Sequence, residues 1–283
     1  MGKLERSWRL VRASWSILRL DPKLMLIPVL STLCIVGAVG AIYVFGLRDV
    51  LPDGDEVIEL TPGMLAALFF ALWTFVLAAT FFGLFFNCAL VACALIRLEG
   101  GQPTLLAGLR IAAARSGTIF GYAILATTVG LVLRLIEERL SIFGKIGMVL
   151  IGSAWALATF LVVPVLVVEN VGPIQALRNS AGLLRRTWGE NAVGQGGLNL
   201  FTGIVFVCVA SGGCLAFSVA ISAGLTAVAL AALVATVVVA ALLLTVSAAL
   251  SGIYIAALYR YAKGDGIPAP FDDGALQASF RSR

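Results

Sequence analysis

Histidine is absent from all 283 residues, and only 12% of the chain is charged. Without imidazole the chain lacks the commonest general base, the commonest metal ligand and the usual partner of a nucleophilic serine. Charge is missing from a second place, the interior of every long apolar run. Arg97, Arg134 and Glu169 stand at run boundaries, where long side chains reach the headgroup layer. Proton relays and intramembrane acidic dyads therefore lose their support, although carbonyls and hydroxyls can still bind sodium. No nucleophile is paired with a base, and Gly194-Gln195-Gly196-Gly197 lacks the lysine of a phosphate loop. A secretory leader is not expected either: the first apolar run comes late, is long and has no small-residue cleavage site. The five cysteines, Cys34, Cys88, Cys93, Cys208 and Cys214, all fall within apolar runs. Cys88 and Cys93, five apart, do not share a helix face. They read as small apolar packing groups, with a metal site or a disulfide as the alternative. The expectation is no enzyme, no catalytic residue, no metal and no cofactor.

What is present is hydrocarbon. Apolar residues make up 60% of the chain and the mean hydropathy is +1.03, against about half apolar residues in a soluble domain. Six apolar runs are expected to cross the bilayer core, about 30 Å at 1.5 Å per residue: 24–46, 64–95, 118–133, 147–168, 198–222 and 226–258. The third is short and would need flanking residues or local thinning to cross. The last two form one uncharged stretch, whose turn is placed at Ser222-Ala223-Gly224.

Lysine and arginine are sorted by side. Lys3, Arg6, Arg9, Arg12, Arg19 and Lys23 precede the first run, and Arg97, Arg110 and Arg115 lie between the second and third. Arg178, Arg185 and Arg186 lie between the fourth and fifth, and Arg260, Lys263, Arg281 and Arg283 follow the sixth. The opposite side holds Arg48, Arg134, Arg139 and Lys145. Sixteen against four puts both termini in the cytoplasm by the positive-inside rule, which six spans allow. The expected fold is all-α: a bundle of six transmembrane helices (24–260), preceded by an interfacial helix (1–23) and followed by a short polar cytoplasmic tail (261–283). The expected location is a bacterial inner (plasma) membrane. The net charge of +5 belongs to the cytoplasmic surface and suits anionic lipid rather than nucleic acid.

Three stretches outside the runs read as amphipathic helices. In residues 3–19, Leu4, Trp8, Val11, Trp15 and Leu18 make one helical stripe. Thr104 can cap a helix carrying Leu105, Leu109 and Ala112 on one side. After Gly172-Pro173, the residues Ile174, Leu177, Ala181, Leu184 and Trp188 line an apolar face. In each a basic residue shortly precedes a hydroxyl: Arg12-Ala13-Ser14, Arg115-Ser116 and Arg186-Thr187. A unit of interfacial helix and hairpin repeated three times would give this pattern; chance resemblance among basic amphipathic helices is the other reading. Tryptophan at headgroup depth and arginine against anionic lipid would hold such helices on the surface. The residues expected to meet lipid headgroups or a partner are therefore Arg6, Trp8, Arg9, Arg12, Trp15, Arg110, Arg115, Arg178, Arg185, Arg186 and Trp188. Bracing of the spans is the competing role for the same helices.

Polar residues inside the runs are few. Asn87 reads as an interhelical hydrogen bonder, worth about 0.6 kcal/mol, with a ligand contact as the alternative. Pro28 and Pro164 can kink the first and fourth spans. Glu169 closes the fourth span as a boundary carboxylate, within reach of Arg178 or Arg186 for pairing. The acidic loop 49–59 reads as a solvated connection around Pro52-Asp53-Gly54.

Arg6-Ser7-Trp8 through Pro28, Phe85-Phe86-Asn87, Ala126-Thr127-Thr128-Val129-Gly130 and the run from Trp155 to Val167 resemble domain-of-unknown-function family 6159, bacterial six-span membrane proteins. The blocks Gly172–Ser180 and Thr187-Trp188-Gly189-Glu190 extend the resemblance. It implies the six-span topology and supplies no mechanism. Asn179 stands where the resemblance leads one to expect a basic residue. A more distant similarity is to the membrane domain attached to glycerophosphodiesterases, resting on the amphipathic helix before a span; the catalytic barrel and its histidines are absent.

Two functions are compatible with these features. The first is a non-enzymatic membrane protein engaging anionic inner-leaflet lipids, a membrane partner or further copies of itself through its basic rim. The alternative is a transporter or channel for a small or lipidic solute, which predicts a polar cavity at mid-depth around Asn87, Thr127, Thr128, Ser153 and Asn199.

Overall fold

A computed structural model describes residues 22–42, 44, 61–140, 142–187 and 192–264. Among the described residues the structure is helical throughout, with no strand. A 3₁₀ turn (Pro22–Met25) leads into α1 (Leu26–Ile42); α2 (Pro62–Leu98) follows, then the short α3 (Leu105–Ala114) and α4 (Ser116–Arg139). Next come α5 (Ile142–Thr159), α6 (Val162–Val168), α7 (Pro173–Thr187), α8 (Ala192–Ser222) and α9 (Thr226–Lys263). Six helical segments among the described residues are long and apolar enough to cross a membrane: Lys23–Ile42, Pro62–Leu98, Ser116–Arg139, Gly147–Val168, Thr202–Ser222 and Thr226–Lys263. The chain is a multi-pass membrane protein by this measure. Leu33, Phe70, Leu150 and Val207, all more than half exposed, present bare hydrocarbon along these segments, as lipid-facing positions do.

The third span departs from its expected length. The apolar run is short, but α4 is 24 residues long, about 36 Å, because Arg134, Glu137, Glu138 and Arg139 continue the helix instead of ending it. Straight-chain charged residues are good helix formers, so loss of hydropathy does not by itself break a helix. Pro28 also differs from expectation. It sits at the changeover from the 3₁₀ turn to α1, where a missing N–H costs little, rather than kinking the middle of a span.

The contacts divide the molecule into two units. One contains Met1–Leu26, Ala94–Gly101 and Arg186–Arg283, and the other Ile27–Cys93 and Gln102–Arg185. In the first, α8 and α9 pair as an antiparallel hairpin. Its turn falls at Ala223-Gly224, as the sequence suggested. Leu225 N–H bonds the Ala220 carbonyl, Gly224 N–H bonds the Ile221 carbonyl, and Gly224 takes φ +71. These two bonds form a Schellman cap, which needs a left-handed residue that only glycine adopts without penalty. The Thr202 and Ser247 hydroxyls meet across the pair at 3.0 Å.

In the second unit, α3 is capped by Thr104, whose side chain accepts the Ala107 N–H at 3.1 Å, as expected from the sequence. Its Gly108 lies directly on α2: a Cβ there would stand 2.6 Å from the Ala89 carbonyl oxygen. The helix α2 meets α4 through Phe81 and Phe120, edge to face with centroids 5.7 Å apart.

The fourth span is broken. Phe160 N–H folds back to the Leu157 carbonyl, three residues away, so Leu161 N–H has lost its i−4 acceptor. Pro164, having no N–H, leaves the Phe160 carbonyl without its own helical donor. The expected interruption is therefore present, realised as a gap between α5 and α6 at Phe160-Leu161. Ser180 of α7 fills the gap, its hydroxyl accepting Leu161 N–H at 3.0 Å.

Candidate functional site

Two groups of residues are candidates: the arginines of the short helices α3 and α7, and the polar residues of the spans. The N-terminal members Arg6, Trp8, Arg9, Arg12 and Trp15 lie outside the described residues, as does Trp188; of Arg186 and Asn199 only the helical backbone is described.

The loop after α3 and the loop before α7 are tied together. Arg115 donates from Nη1 to the Asn170 side-chain carbonyl, and Pro173 packs on Gly121, where a Cβ would come to 2.9 Å from its ring. Arg110, Arg178 and Arg185 are exposed, and among the described residues none carries an ion pair. Three arginines on two joined helices thus present unneutralised guanidinium groups, suited to planar anions such as phosphate.

Beside them, Glu169 is held by Asn179, whose Nδ2 donates to the carboxylate at 2.6 Å. Gln175 Nε2 in turn donates to Asn179 Oδ1 at 3.0 Å. The position that the resemblance would fill with a basic residue is thus a neutral amide donor to the boundary carboxylate. A charge count, which named Arg178 and Arg186 for Glu169, passes over Asn179 because its amide is neutral.

The protein-facing seam of α7 meets the apolar stripe at Leu184 and otherwise runs beside it. Ala176, Ser180 and Leu184 are buried, while Ile174 is 62% exposed. A stripe of large apolar residues is read as the buried face only when the neighbour is protein; in a bilayer, small residues take the protein side and large ones face lipid. The helix α3 follows the same rule, burying Gly108 and Ala112.

The span residues do not gather at one point. Ser153 and Thr128 are exposed, Ser153 bonding its own helix at the Val149 carbonyl, 2.6 Å away. Asn87 is half-buried, and its Oδ1 has no partner among the described residues. Thr127 is distinct. It is 6% exposed, its hydroxyl is unpartnered among the described residues, and it lines a cleft between α2 and α4. That cleft has a volume of about 390 Å³ and is walled by Phe69, Leu72, Trp73, Val76, Thr80, Ala126, Gly130, Leu131 and Arg134. Of the residues expected around a mid-depth chamber, Thr127 lines this cleft, while Thr128 and Ser153 are exposed. The rest of the lining was hidden in the sequence because it is ordinary apolar helix.

Among the cysteines, Cys88 and Cys93 are buried and Cys208 and Cys214 exposed, and all five are free thiols. Cys93 packs beneath α3 with its thiol 3.5 Å from the Thr104 carbonyl, a packing role in keeping with the sequence.

The chain belongs to a family of unknown function, DUF6159, whose model matches residues 66–267. No curated protein matches it, and neither does any solved structure. The distant similarity to the membrane domain attached to glycerophosphodiesterases is accordingly not shown.

Proposed function

We propose that this member of the DUF6159 family is a non-enzymatic integral membrane protein that engages anionic lipid headgroups through the arginines of α3 and α7. The observation that carries the reading is the tie between Arg115 and Asn170. It joins the two short helices in one unit while Arg110, Arg178 and Arg185 stay exposed. Neither helix is long enough to cross a bilayer, and each adjoins a segment that is. Both would lie in the headgroup layer, large apolar residues such as Leu106 and Ile174 toward lipid and arginines toward phosphate. Each basic residue near an anionic surface contributes about 1 kcal/mol. The excess of lysine and arginine on this side of the spans makes it the cytoplasmic face, with both termini on it.

The test is lipid retention by the detergent-purified protein, measured by native mass spectrometry with phosphatidylglycerol and phosphatidylcholine at matched concentrations. Preferential retention of phosphatidylglycerol, falling as salt rises and in the triple variant Arg110→Gln, Arg178→Gln, Arg185→Gln, is the expected result. Equal retention of the two lipids at low salt would remove the proposal.

A further inference from the structure

We infer that the cleft between α2 and α4 is a binding site for an anionic amphiphile that carries an oxygen part-way down its chain. The cleft lies toward the opposite end of α4 from Arg115, so it stands apart from the headgroup reading above. Its walls are set by helical register. Phe69, Leu72, Trp73, Val76 and Thr80 follow one face of α2, and Thr127, Gly130, Leu131 and Arg134 one face of α4. Three observations specify the ligand. Arg134 stands at one end, exposed and without an ion pair among the described residues, in the position to hold an anionic head. Between the ends the wall is aromatic and aliphatic, fit for a hydrocarbon chain. Seven residues before Arg134, two helical turns or about 10 Å along the axis, Thr127 offers a hydroxyl that is buried and unpartnered among the described residues. The neighbouring Thr80 hydroxyl is already given to the Val76 carbonyl at 2.7 Å, so Thr127 is the donor left over. A hydroxyl buried without a partner is unfavourable, and an acceptor oxygen on the ligand, met by rotation of the Thr127 side chain toward the cleft, removes that penalty. Gly130 makes the room: a Cβ there meets nothing within 4 Å, and a longer side chain would occupy the ligand's volume.

Trp73 lines the cleft and reports on it. In a variant whose other four tryptophans are phenylalanine, brominated stearate in detergent is expected to quench Trp73 saturably. Its methyl ester should bind about tenfold more weakly, and Arg134→Gln should abolish the difference between acid and ester. Unbrominated stearate hydroxylated at mid-chain should compete better than plain stearate. Thr127→Val, nearly isosteric, should remove that advantage, roughly three- to tenfold for one hydrogen bond, and leave plain stearate unchanged. Gly130→Leu should abolish quenching while the protein elutes as before on size exclusion. Quenching that rises without saturation, equally for acid and ester and undiminished in Gly130→Leu, would show a cleft filled only by bulk acyl chains and overturn the assignment. Saturable binding with no preference for the hydroxylated chain, or a preference that survives Thr127→Val, would overturn the role given to Thr127.

Discussion

The Ser180 hydroxyl on α7 accepts the backbone N–H of Leu161 at 3.0 Å, in a site where both residues are fully buried. One side chain of a short helix thereby satisfies the break in a span 19 residues away in sequence. Replacing Ser180 with alanine leaves that N–H buried without an acceptor, at a cost of about 1–3 kcal/mol. Thermal unfolding in detergent should register it as a lowered midpoint; an unchanged midpoint would mean that Leu161 finds another acceptor when α7 offers none.

Gly108 governs how closely α3 approaches α2. Substitution by alanine drives a methyl group into the Ala89 carbonyl and the Cys93 thiol, and backbone cannot yield as a flexible side chain can. A cost of about 1–3 kcal/mol is expected, with increased alkylation of Cys93 by a small maleimide as α3 lifts. Gly117, around which a Cβ meets nothing within 4 Å, is the control whose alanine variant should behave as wild type.

Asn179 and Glu169 should prove coupled. A double-mutant cycle with Asn179→Ala and Glu169→Ala is expected to give about 0.5–1.5 kcal/mol from unfolding midpoints, since hydrogen bonds to a charged group are strong but this pair is part-exposed. Strict additivity would show that solvent replaces the contact at no cost. Asn179→Lys tests the family expectation directly: an ammonium group beside the carboxylate should preserve stability better than alanine does.

The hairpin of α8 and α9 should owe little to the hydroxyl pair of Thr202 and Ser247. Thr202→Val with Ser247→Ala is expected to show a coupling of about 0.6 kcal/mol, the usual size for hydrogen bonds within membranes. Gly213→Ala should cost more, because its Cβ would overlap the Thr236 side chain on α9. If the hydroxyl pair outweighed the glycine, polar contacts and not close packing would be holding the hairpin.

Much of the fold was legible because hydropathy over twenty residues is a strong local signal. The six runs, the glycine turn at Ala223-Gly224 and the Thr104 cap all follow from residues that interact with near neighbours or with solvent. The extension of α4 through Glu137, Glu138 and Arg139 was missed because hydropathy marks where a helix leaves lipid, not where it ends. The seam of α7 was missed for a related reason. The stripe of Ile174, Leu177, Ala181 and Leu184 marked an apolar face of α7, but hydropathy did not mark Ala176 and Ser180 as the small residues that meet protein.

The candidate sites divide the same way. The surplus of arginine on one side is a property of composition and order, so it needs no coordinates. The tie between Arg115 and Asn170, the amide on Glu169, the serine at Leu161 and the cleft beside Thr127 join residues distant in sequence. By itself the sequence determined that this chain enters a membrane, how many times it can cross and where its charges must stay in water, because partitioning between water and hydrocarbon depends on each segment alone. Only the tertiary structure decided which small residues let helices touch, which polar groups found partners and which were left buried without one, because those outcomes depend on the distance between helices.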